Sequence, residues 1–148
     1  MKFGRLRTLR GQIEVSGGVA KANLIVADGL INYGLRVMRF TIWPETWAGS
    51  NPVYYTAILG LNTVVGNMDA GTNSQIAWAY GATADATPKG LIQQDRLIID
   101  PDHIVNRDLF LSFVNTTAGT FNYLIETQVV ELSDDEAIIT IIKETSQS

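Results

Sequence analysis

The sequence contains no cysteine. Disulfide scaffolds, Cys-ligated zinc and thiol nucleophiles are therefore excluded, while the redox compartment stays open. There is a single histidine, His103, so a serine triad or a histidine metal site would have to use it. Charged residues make up only 18% of the chain, below the usual quarter. A surface with so little charge is expected to be covered in part by other subunits. No apolar run approaches the roughly 20 residues of a membrane-spanning helix. The start, Met1-Lys2-Phe3-Gly4-Arg5, lacks the apolar core of a secretory signal, so the chain is expected to be made and assembled inside a cell.

What is present suits one packed domain. The chain has 148 residues, of which 46% are hydrophobic. Net charge is −4, unevenly spread. Lys2, Arg5, Arg7 and Arg10 give the first ten residues +4 with no acid, which leaves −8 on the rest.

Turn signals recur at short intervals: Ser16-Gly17-Gly18, Asp28-Gly29, Asp100-Pro101-Asp102, and the stretches 44–52, 66–74, 81–90 and 115–119. Between them lie short segments rich in Val, Ile, Thr, Tyr, Phe and Trp, as strands require. Several alternate with period two. Val53, Tyr55, Ala57, Leu59 and Leu61 fall on one face, as do Ile76, Trp78 and Tyr80. So do Val105, Leu109, Leu111 and Phe113 within 103–114, and Phe121, Tyr123, Ile125 and Val129 within 121–132. In 35–43, Met38, Phe40 and Ile42 occupy one face and Leu35, Val37 and Trp43 the other, which predicts a strand covered on both sides. Further short strands are expected at 11–15, 22–27 and 96–99. About eight strands separated by turns predict an all-β sandwich or barrel. The stretches 44–52 and 81–95 read as surface excursions.

The C-terminus changes period. Ser133 followed three residues later by Glu136 predicts a capping box, and Asp134, Asp135 and Glu136 suit the positive end of a helix dipole. The run Ala137 to Ile142 is apolar nearly all round, so a helix here needs cover on every side. A neighbouring subunit is expected to supply part of it, through Ile138, Ile139, Ile141 and Ile142. The expected organisation is a basic N-terminal arm at 1–10, a β-sandwich at 11–132, and a C-terminal helix and tail at 133–148.

No motif carries catalysis. His103 with Asp100, Asp102 and Asp108 reads either as an acid–base or metal cluster, or as a turn leading into a strand, and the turn explains the spacing. The acids 134–136 project in different directions from a helix, so capping explains them better than metal binding. No Gly-rich phosphate loop is present. No cofactor, metal or enzymatic activity is expected. Trp43, Trp47, Trp78, Tyr54 and Tyr55 could form a stacking platform for sugars or bases, or could be core and interface residues. Trp47, in a Pro-flanked loop, is expected at a subunit contact. Lys2, Arg5, Arg7 and Arg10 read either as an arm lying on nucleic-acid phosphates or as a surface strand pinned by Leu6 and Leu9.

Three stretches, VMRFTIWP at 37–44, DRLIIDPDHIVNRDLFLSF at 95–113 and NYLIETQVVELSDDEAIITIIKE at 122–144, together with the basic start and the strand count, resemble single jelly-roll coat proteins of small icosahedral viruses and tailless phages. The resemblance implies an antiparallel jelly-roll sandwich with a short C-terminal helix. It also implies a virion protein, assembled in the host cytoplasm, whose partners are copies of itself and could include other capsid proteins and, through the arm, genomic nucleic acid, with no membrane. Four cations are few beside the arms of strongly genome-binding coat proteins, which leaves a minor capsid or vertex role open. The alternative is a ligand-binding β-sandwich, such as a carbohydrate-binding or phage receptor-binding module.

Overall fold

The computed structural model describes residues 2–24, 32–45, 53–63, 68–72, 74–83, 92–100 and 102–146. Among them are nine strands and one helix: β1 (Lys2–Val15), β2 (Ala20–Leu24), β3 (Tyr33–Pro44), β4 (Tyr54–Gly60), β5 (Gln75–Thr83), β6 (Ile92–Ile99), β7 (Ile104–Val105), β8 (Leu109–Phe113), β9 (Gly119–Glu131) and α1 (Asp134–Ser146).

The strands pair as a nested ribbon. β1 pairs with β9, β2 with β8, β3 with β7 and β4 with β5, all antiparallel. Rolling that ribbon up adds two further pairings, β3 with β9 and β4 with β8. The result is a four-stranded sheet in the order β1-β9-β3-β7 and a five-stranded sheet in the order β2-β8-β4-β5-β6. Strands β1 to β4 alternate between the sheets, β4, β5 and β6 lie side by side in one of them, and β6 to β9 alternate again, which makes this sandwich a jelly roll. β6 is an extra strand added outside β5.

The turns work through glycine where φ must be positive. Gly17 and Gly18, at φ 68° and 81°, form the two-residue turn that carries the chain from β1 to β2, closed by a bridge between Ser16 and Val19. At Gly60 a Cβ would collide with the carbonyl oxygen of Ser74, so only glycine lets β4 leave the sheet at that point.

The core lies between the sheets. Phe121 of β9 touches Tyr55 of β4 and Phe113 of β8, with ring centroids 5.8 and 5.4 Å apart. Around them Phe40, Ile42, Leu59, Leu109, Leu111 and Ile125 are fully buried. Each such side chain contributes roughly 1.5–3 kcal/mol relative to exposure. The expected inward faces of β4, β8 and β9 are all found in this core.

Three expectations are corrected. β3 carries a bulge between Val37 and Arg39, so its phase flips in mid-strand. Leu35 and Val37 before the bulge and Phe40 and Ile42 after it all enter one core, while Met38 is exposed. The strand therefore has one apolar face, where strict alternation predicted two. Likewise β5 shifts register beside Gly60, which puts Ile76 in the core and Trp78 outside it with Ile58 and Val114. The segment 103–114 is two strands in different sheets, because the chain crosses between sheets at 106–108.

Candidate functional site

The basic segment has no boundary at residue 10. β1 runs from Lys2 to Val15 along the edge of the four-stranded sheet, paired with β9 from Glu131 to Gly119. The expected separate arm is thus an edge strand of the sandwich, held by Leu9 and Ile13 packing on the core. Cations on an edge strand also discourage stray pairing with another strand, a use that needs no nucleic acid.

Strand alternation distributes the four cations. Arg7 shares the core-facing side of β1 with Leu9, while Arg10 points outward with Thr8 and Gln12. Lys2 and Arg5 are exposed on either side of Phe3. The strand therefore presents no single row of four cations.

A bulge between Phe3 and Leu6 changes what the start of β1 displays. The register pairs Phe3 with Val130 and Leu6 with Gln128, two residues that face outward from β9. Phe3 and Leu6, three residues apart, consequently share the outer face of the sheet, 53% and 69% exposed. The Arg36 guanidinium lies over the Phe3 ring, 4.1 Å from its centroid, and donates to Gln128 Oε1 through Nε and Nη2 at 3.0 and 2.7 Å.

The same outer face carries α1. Its start is the predicted capping box: Ser133 N–H donates to Glu136 Oε1 at 3.0 Å, and Glu136 N–H to Ser133 Oγ at 3.2 Å. The Ser133 backbone donor holds the Glu136 carboxyl below the usual glutamate range. Asn32 ties this corner to β3 by donating to Asp134 Oδ1 at 2.7 Å. Ala137 is buried against Val130 and Leu132, with Ile104 beside them. Gly34 leaves room there, since a Cβ would meet Ile104 Cγ2 at 2.7 Å.

The rest of the helix is turned the other way. Asp135, Ile138, Ile139 and Ile142 follow the spacing i, i+3, i+4, i+7 and form one exposed stripe. The three isoleucines are 52%, 63% and 57% exposed, and Ile141 beside them is 36% exposed. The helix thus buries an alanine and presents its largest apolar side chains outward.

The aromatic residues do not form one exposed platform. Tyr55 is in the core, and Trp43 is exposed on the outer face of the four-stranded sheet. Tyr54 is exposed on the outer face of the other sheet. Trp78 lies under the β4–β5 connection, its indole N–H donating to Gln75 Oε1 at 2.8 Å, and the same oxygen accepts the Asp69 N–H at 2.8 Å. Trp47 lies outside the described residues.

His103 is buried, and Asp100 Oδ1 accepts the Asp102 N–H at 3.1 Å, an Asx turn leading to β7. Among the described residues no three His, Cys, Asp or Glu side chains gather to hold a metal. A cleft of about 280 Å³ lies beside Glu45 and Thr120. No helix of the described residues is long and apolar enough to cross a membrane.

The strand order defines the class, a jelly-roll β-sandwich with a C-terminal helix on its outer face. Compared with known proteins, the chain matches no family model, no curated protein and no solved structure.

Proposed function

We propose that this protein is a structural subunit of an icosahedral virus or phage shell, whose work is to bind copies of itself. The observation that carries the reading is the exposed isoleucine stripe of α1 on the outside of a jelly roll. A single domain gains nothing from placing Ile138, Ile139 and Ile142 in water, whereas a neighbour covering them gains roughly 25 cal/mol per Å² of apolar surface. Many moderate contacts of this kind, closed by symmetry, make a stable assembly from weakly associating units.

Trp43 and Tyr54 stand on opposite outer faces, Tyr55 is in the core and Trp78 is buried, which speaks for this reading over a sugar-binding sandwich, because a stacking platform needs its rings exposed on one surface. Contact with the genome is the less supported part, since β1 divides Arg7 and Arg10 between two faces.

Electron microscopy of the purified protein, with nucleic-acid content measured on the same sample, tests the proposal. Closed shells or ring-shaped capsomers are expected. A chain that stays monomeric at high concentration and binds glycans overturns it.

A further inference from the structure

One edge of β1 is taken by β9, and the other is the end of the four-stranded sheet. Among the described residues no strand pairs with that second edge. Alternate residues of an edge strand point their backbone N–H and C=O groups outward, where another strand can pair with them. The register with β9 is unbroken from Leu6 to Val15, so this edge is regular beyond the bulge. Lys2, Arg5 and Arg10 are exposed along β1, and the first acid in the sequence is Glu14. These cations stand on both faces of the strand. The register sets Lys2 and Arg5 on the core side of the sheet plane and Arg10 on the outer side.

We infer that this edge takes up an extended acidic segment of another protein, which adds to the four-stranded sheet beside β1. Charge complementarity and alternation name the occupant. The side chains of an added strand point alternately to the two faces, so its acids reach Arg5 on one and Arg10 on the other. A phosphate chain or an anionic membrane lying against either face would meet only the cations of that face. A second copy of β1 would set cations beside cations. Main-chain hydrogen bonds supply the affinity, and the acids select the partner. Acids five residues apart lie opposite Arg5 and Arg10 in either strand direction, and the odd spacing sends them to opposite faces. The contact does not require the shell reading, because the edge belongs to the sandwich itself.

Peptide titration followed by NMR tests it. The probe is a ten-residue peptide of Thr and Val with Glu at its third and eighth positions. It should shift the backbone amides of Leu6 to Gln12 and slow hydrogen exchange at every second one. Arg5→Glu and Arg10→Glu should each weaken binding about tenfold. The double variant should instead bind the same peptide carrying Lys in place of Glu, with the affinity of the original pair. Both arginines are exposed, so the variants should keep the far-UV circular dichroism of the parent. Methylating alternate backbone nitrogens of the peptide should abolish binding for one set and spare it for the other, since only one set faces β1.

A glutamate peptide that shifts no β1 amide at millimolar concentration overturns the contact. So does binding that both methylated peptides retain, because that is charge attraction without an added strand. Oligothymidylate that binds through Arg5 and Arg10 while the peptide does not overturns it in favour of nucleic acid. Micrographs separate the edge from the shell. Shells formed by a protein that ignores the peptide reject the edge and leave the shell. Strand addition to a protein that forms no shells supports the edge and rejects the shell.

Discussion

Arg36 is held between Phe3 and Gln128, with its guanidinium carbon 4.1 Å from the ring centroid and two donated hydrogen bonds to the amide oxygen. These contacts tie the first residues of β1 to β3 across β9. Lysine could place a charge there but not a planar fork. Arg36→Lys should therefore cost about 1 kcal/mol and lower the Tm by roughly 2–4 °C. Hydrogen exchange should quicken at Gly4 to Leu6 and stay unchanged at Ile13. Equal protection along β1 in the variant would show that Arg36 does not anchor the strand.

Gln75 Oε1 accepts both the Trp78 indole N–H and the Asp69 backbone N–H. Gln75→Leu leaves two donors without that acceptor beneath the connection. The expected loss is roughly 1–3 kcal/mol in urea unfolding, with Trp emission shifted to the red as water reaches Trp78. A variant as stable as the parent would mean that other acceptors replace the amide.

Met38 is the extra residue of the β3 bulge, and its side chain is exposed. Met38→Lys should leave stability within about 0.5 kcal/mol. Deleting Met38 should be far worse, since it forces either Leu35 and Val37 or Phe40 and Ile42 out of the core. The deletion is expected to abolish cooperative thermal unfolding. A folded deletion variant would show that the bulge does not set the phase.

Ser133→Ala removes one half of the capping box and should cost about 1 kcal/mol. The Glu136 pKa, readable by NMR titration, should stay lowered, because the Ser133 backbone N–H that holds it down is still present, and stability should keep its pH dependence. The sign follows from the lowered folded value. The stabilisation from Glu136 is complete above its unfolded pKa and fades as pH falls through the lower folded pKa. Helical signal should therefore decline on acidification in the parent and in the Ser133→Ala variant alike.

Nucleic-acid binding should be weak and only shallowly salt-dependent. If β1 offers about two cations to one strand, the slope of log affinity against log salt is roughly −1.4 for single-stranded nucleic acid. A slope about twice as steep would show that Lys2, Arg5, Arg7 and Arg10 act together after all.

Much was readable in the residues alone. The Gly17-Gly18 turn, the Ser133–Glu136 cap and the inward faces of β4, β8 and β9 depend on neighbours a few positions away, and local chemistry determines them. The sandwich class and the C-terminal helix follow from the same short-range patterns. The tertiary structure decided the rest. β1 became a sheet edge because β9, more than a hundred residues later, pairs with it. Three departures from regular register, at Phe3/Leu6, Val37/Arg39 and Leu59/Gly60, decided which apolar residues are buried and which are displayed. A period-two pattern looks alike on either side of such a shift, because its position depends on the strand alongside. The sequence could show that Ile138, Ile139 and Ile142 need cover. Only the packing of Ala137 on Val130 decided that they face away from their own core.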